Sequence, residues 1–98
     1  MPTIYEYLGF LFQIYTRDHL PIHVHVLRAE RESKCELHYV NGSLTLNWKD
    51  VTAKVPLTAK DKKNAEELIR KYHLQIVKKW ELILIFGKTV KKEVITKL

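Results

Sequence analysis

Residues 18–26, DHLPIHVHV, place three of the chain's five histidines within seven positions, behind an aspartate and around a proline. Imidazoles at this density have four uses: ligating a metal, passing protons, ordering a loop, or lying on polar surface. His23 and His25 are two apart and alternate with Val24 and Val26, which reads as a strand with both rings on one face. Two imidazoles from one strand suit zinc, nickel, copper or iron. A third ligand is available from His19, in a loop braced by Pro21, or from Glu36 or His38. No cysteine pair and no HExxH accompanies them, so a divalent, zinc-like transition metal is an expectation from ligand chemistry alone. Without a metal, paired histidines serve phosphodiester cleavage, one as base and one as acid, with His19, His23 and His25 as the catalytic set. The plainest reading is structural: Asp18 accepts from backbone amides in the turn, Pro21 fixes the chain direction, and the histidines hold the loop.

The elements that must position this segment follow from pattern. Residues 3–8 and 10–16 are β-branched and aromatic, and Gly9 between them marks a tight hairpin. Residues 23–29, 33–40 and 43–49 are three further strands, the last two joined by Asn41-Gly42, which favours a type I′ turn. That turn sets a register in which Tyr39 faces Leu44, Leu37 faces Leu46 and Cys35 faces Trp48. His38 then lies beside Thr45, and Glu36 beside Asn47. If residues 29–32 close a four-residue loop, His23 falls opposite His38 and His25 opposite Glu36. The four would form a polar cluster on the face away from Val24 and Val26.

From residue 57 the period changes. Ala65, Leu68, Ile69, Tyr72, Ile76, Trp80, Ile83 and Leu84 recur at helical steps, with Thr58 and Asp61 as a capping pair and Gly87 as a stop. The stretch is one long helix or two broken near Tyr72–His73, and two is the expectation. The tail TVKKEVIT is β-branched and can return as an edge strand. The class is α+β: an antiparallel sheet of about five strands with helix packed on one face. Both tryptophans fall on the apolar pattern and read as core, and Cys35 faces the core, which argues against a nucleophile. Lysines of the helical region read mainly as its solvated face, with Lys78-Lys79 and Lys91-Lys92 available for phosphate.

Ninety-eight residues with 46% hydrophobic and 29% charged composition make one globular domain. A single cysteine precludes an internal disulfide, and with no signal peptide the expected compartment is the cytoplasm. No apolar run reaches the length of a membrane span. A net charge of +6 permits nucleic acid or an acidic protein as partner without requiring either.

The opening MPTI, the spaced DHLPIHVHV and the late KKW together resemble a small prokaryotic family, domain of unknown function 4160. The resemblance runs through most of the chain, including ESKCEL and the ending KKEVITKL. Asp18, His19, Pro21, His23 and His25 match the family's motif, and Trp80 its helical tryptophan. The resemblance brings no established activity. It implies an accessory protein of a two-gene, toxin–antitoxin-like module, acting on the protein product of a neighbouring gene or on RNA. The leading expectation is therefore a binding protein that uses its histidine face, with Asp18, Glu36 and His38 contributing. The rivals are a small histidine- or metal-dependent nuclease or hydrolase, and a purely structural interaction domain.

Overall fold

Tight turns between β-branched runs build an antiparallel meander: β1 (Thr3–Tyr7), β2 (Phe10–Gln13), β3 (His23–Arg28), β4 (Arg31–Val40) and β5 (Ser43–Asp50). The helix α1 (Ala59–Leu84) and a short β6 (Glu93–Ile95) follow. The computed structural model describes residues 2–98, and the sheet order is β5-β4-β3-β2-β1-β6. No helix among the described residues is long and apolar enough to cross a membrane.

The first hairpin turns on Leu8 and Gly9, at φ 47° and 83°. Glycine suits position 9: its φ is positive, and a Cβ would lie 3.1 Å from Arg28 Nη1, which would have to shift slightly to admit one. At the start of β1 the register slips between Thr3 and Tyr5, a bulge that lets neighbouring Ile4 and Tyr5 both be buried. The turn at Asn41 (φ 51°) and Gly42 (φ 81°) sets the expected β4–β5 register, with Cys35 opposite Trp48, Leu37 opposite Leu46 and Tyr39 opposite Leu44.

The β3–β4 register differs from the expected one. The connection is not residues 29–32 but Ala29 and Glu30 alone, so Arg28 pairs with Arg31, His23 with Glu36 and His25 with Lys34. Ala29 takes φ 54°, a conformation alanine disfavours, which is why sequence pattern conceals the turn. The displacement is two residues, so strand parity survives. Val24 and Val26 are fully buried toward the helix, and His23 and His25 share the other face.

The helix begins where Thr58 Oγ1 accepts the Asp61 N–H at 3.1 Å. It buries Ala65, Leu68, Ile69, Ile76, Trp80 and Ile83 against the sheet face that carries Tyr5, Phe12, Val24, Val26 and Cys35. The expected break near Tyr72–His73 is present as a kink within α1: Tyr72 departs to φ −108°, ψ 18°, with helix on either side of it. No glycine or proline lies in the span, so nothing prevents the hydrogen-bond ladder from restarting. The Tyr72 ring packs on Tyr5 at 5.2 Å between centroids. Past Gly87 (φ 61°) the tail returns as β6, but parallel to β1, so the sheet is mixed rather than purely antiparallel. A crossover rather than a hairpin delivers this strand, and crossovers make parallel pairs. Lys79 fixes the tail through Glu93 at 2.7 Å, and Lys92 lies 3.9 Å from Glu6.

Two side chains of β4 are fully buried on the helix side of the sheet. Cys35 is fully buried, and burial pushes its thiol up to about 12, which leaves no nucleophile. Ser33, also fully buried, accepts the Leu57 N–H through its hydroxyl at 3.0 Å, docking the segment that leads into the helix. Ser33→Ala would strand that amide in a dry site. It is expected to cost about 1–3 kcal/mol, read as a lower urea midpoint with an unchanged slope.

Candidate metal centre

Strand β3 supplies His23 and His25, and the 14–22 loop that leads into it folds back over their face. The face is therefore not open surface: both histidines are only 5% exposed. Tyr15 stacks on His25, with ring centroids 3.8 Å apart and 9° between planes. Asp18 accepts the Tyr15 N–H at 3.0 Å, closing the turn as expected, and turns the same oxygen, Oδ2, toward both imidazoles. That oxygen lies 3.2 Å from His23 Nε2 and 3.6 Å from His25 Nε2. The Leu20–Pro21 peptide in this loop is cis.

The other ring nitrogens fix the tautomers. His23 Nδ1 lies 2.7 Å from the Pro21 carbonyl, which can only accept, so Nδ1 carries the proton. His25 Nδ1 lies 3.0 Å from Glu32 Oε2, and an ionised carboxylate likewise only accepts. The Tyr15 hydroxyl donates to that same Glu32 oxygen at 2.5 Å. With both Nδ1 positions donating, a ring in its neutral form presents the Nε2 lone pair. Both Nε2 atoms lie close to Asp18 Oδ2, so three atoms that can act as ligands stand together. His25 Nε2 is buried and has no hydrogen-bond partner.

Electrostatics sharpen the point. Glu32 is 3% exposed and Asp18 partly buried, and among the described residues neither pairs with a lysine or arginine. Burial holds the His25 imidazole below its ordinary value, against the pull of Asp18 and Glu32, so His25 favours the neutral form. Burial and then Glu32 push the Tyr15 hydroxyl up, keeping it a donor. One buried and one partly buried carboxylate thus lack a fixed positive charge, and they flank the two Nε2 atoms. The ligand atoms of Asp18, His23 and His25 all lie within 4.8 Å of one another. Around a tetrahedral zinc with bonds of about 2.0–2.1 Å, ligand atoms sit about 3.3 Å apart, close to the two Asp18 distances.

Of the residues singled out from sequence, Asp18, His23 and His25 come together here. His19 does not: it is exposed, at the rim of an open groove of about 540 Å³ that Asp18, Leu20, Trp80, Leu84 and Ile85 also line. Its neighbour Asp18 turns its carboxylate toward the imidazoles while His19 faces solvent. Glu36 and His38 also stay out. The shifted register leaves them to each other, with His38 Nε2 2.9 Å from Glu36 Oε1. That hydrogen bond holds the Glu36 carboxyl below its usual range despite some desolvation, with Lys49 and Lys34 adding to it. Tyr15 and Glu32 are the two site residues that sequence reasoning missed. Tyr15 was read as strand, and Glu32 as part of a loop.

This arrangement fixes a spectroscopic outcome. Long-range nitrogen–proton correlation spectra are expected to show His25 protonated at Nδ1 and bare at Nε2. Replacing Tyr15 with Phe removes a donor to buried Glu32 and is expected to cost about 1–3 kcal/mol in a denaturant melt. A ring protonated only at Nε2 would contradict the geometry.

Comparison with curated proteins and with solved structures yields no match. A family model does match, over residues 9–81, which span the whole site and most of the helix. The resemblance carried by DHLPIHVHV and KKW is thereby established, and the chain belongs to the family described as Domain of unknown function (DUF4160).

Proposed function

We propose that the domain binds one divalent transition metal, of the zinc type, through Asp18 Oδ2, His23 Nε2 and His25 Nε2. The observation that carries this reading is the convergence of three ligand atoms, from Asp18, His23 and His25, within 4.8 Å of one another. A divalent cation there would neutralise Asp18 and Glu32 and satisfy the orphaned His25 Nε2. The Pro21 carbonyl and Glu32 carboxylate would serve as the outer partners that orient metal-bound imidazoles. Three protein ligands leave a fourth position for water or for a group from outside.

The metal would pin the 14–22 loop to β3. A protein partner encoded beside this gene, or an RNA, would then meet a fixed loop at the groove beside His19 and Leu20. A second reading, metal-dependent hydrolysis, draws on the same groove, because Asp18 lines it and His19 stands at its rim to move a proton. It predicts phosphodiester or ester cleavage that needs metal and that His19→Ala lowers without loosening the metal.

Calorimetric titration of tag-free apo protein with zinc is expected to give one site per chain at micromolar Kd or tighter. Asp18→Asn, nearly isosteric, should weaken binding at least about tenfold, and Glu32→Gln about 10–100-fold. His19→Ala and His38→Ala should leave it unchanged. Zinc at about a hundred times Kd should add about 2.7 kcal/mol of stability. A flat titration of folded protein, or loss of binding with His19→Ala alone, overturns the proposal.

A further inference from the structure

The outward face of α1 changes character at the kink. Before Tyr72 it carries Lys60, Lys63, Glu67 and Lys71, the charged surface that a solvated helix needs. Beyond it, the same face carries Leu74, Val77, Lys78, Glu81, Leu82 and Ile85, at steps of three, one, three, one and three. This stripe lies opposite the core positions Ile76, Trp80 and Ile83, so this half of the helix is apolar on both sides. Leu74 is 67% exposed and Ile85 62%. A groove of about 430 Å³ runs along the stripe, flanked by Tyr39 at the end of β4 and by Phe86. Apolar side chains left this exposed at both ends of one stripe, Leu74 at one and Ile85 with Phe86 at the other, mark an interaction site.

The stripe reads the same from either end. Apolar residues stand at the outside and the inside, and a lysine and a glutamate at the centre. Two such helices crossing antiparallel about a twofold axis would set Leu74 on the partner's Ile85, Val77 on the partner's Leu82, and Lys78 on the partner's Glu81. An interface about a twofold axis demands this kind of self-complementarity. Neither Lys78 nor Glu81 forms an ion pair within the chain among the described residues, whereas neighbouring Lys79 is taken by Glu93. The stripe is locally neutral in a chain of net charge +6, so two copies can approach here without meeting their mutual repulsion.

We propose that this face, the outer stripe of the second half of α1, is the interface of a homodimer with two antiparallel helices at its centre. The proposal does not rest on the metal centre: none of its ligands belongs to the stripe, although Asp18 and Ile85 line one groove.

Sedimentation equilibrium from about 1 µM to 1 mM tests it, the range in which a weak reversible dimer dissociates. Wild type is expected to be a reversible dimer. Leu74→Arg changes a residue that is already exposed and should weaken association at least about tenfold. Lys78→Glu and Glu81→Lys should each weaken it about fivefold or more by setting like charges together, and the double exchange should restore it. Thermal melts by circular dichroism confirm that each variant is folded. A wild type monomeric at 1 mM overturns the proposal. So does a dimer indifferent to Leu74→Arg, or a double exchange no tighter than the single ones, since the proposed interface sets Lys78 on the partner's Glu81.

Discussion

Strand β3 is buried on both faces, and its two faces ask for opposite environments. Val24 and Val26 press into hydrocarbon from the helix and β2, while His23 and His25 carry nitrogens that must be satisfied away from bulk water. Most of the remaining structure answers this constraint. The helix covers one side with Ala65, Leu68 and Ile69. The 14–22 loop covers the other with Tyr15 and Asp18, and β4 brings Glu32 alongside. A loop that merely linked β2 to β3 could run straight. This one folds back because the histidine face has no other lid.

How much of this was legible depends on which residues carry the turns. Asn41-Gly42 is chemically committed to positive φ, and the register read from it holds at every pair from Cys35–Trp48 to Val40–Ser43. Ala29 has no such commitment, so the neighbouring hairpin looked two residues longer than it is. The error was even, and pleat parity repaired half of it. The faces of Val24, Val26, His23 and His25 were right, while the partners assigned to the histidines were wrong. Glu36 and His38 consequently gave way to Glu32. The signal for Glu32 was available only to someone who allowed alanine a left-handed turn.

The helix teaches a related lesson. Its core stripe, cap and stop all followed from spacing, and the kink fell at the residue where a break was expected. What spacing does not settle is whether a break ends a helix or only bends it, because that turns on packing, here Tyr72 against Tyr5. The direction of β6 was hidden for a similar reason. Three residues of edge strand carry little preference, and their orientation is inherited from the crossover that delivers them. His19 failed as a ligand through simple geometry: the sequence shows three histidines close together along the chain, and proximity along a loop is not convergence in space.

The meander also fixes an order of events. Its connections, residues 8–9, 14–22, 29–30 and 41–42, are short, so every antiparallel pairing closes at small entropic cost. Only β6 joins the far end of the chain to β1, and it does so with three residues. Local pairings of this kind form quickly, and distant ones wait for them. The five-strand curl can therefore assemble ahead of the tail, with the helix laid across it and the last strand added as a clasp. What the clasp covers is the edge of β1, while the histidine-bearing β3 lies in the middle of the sheet, three strands from it.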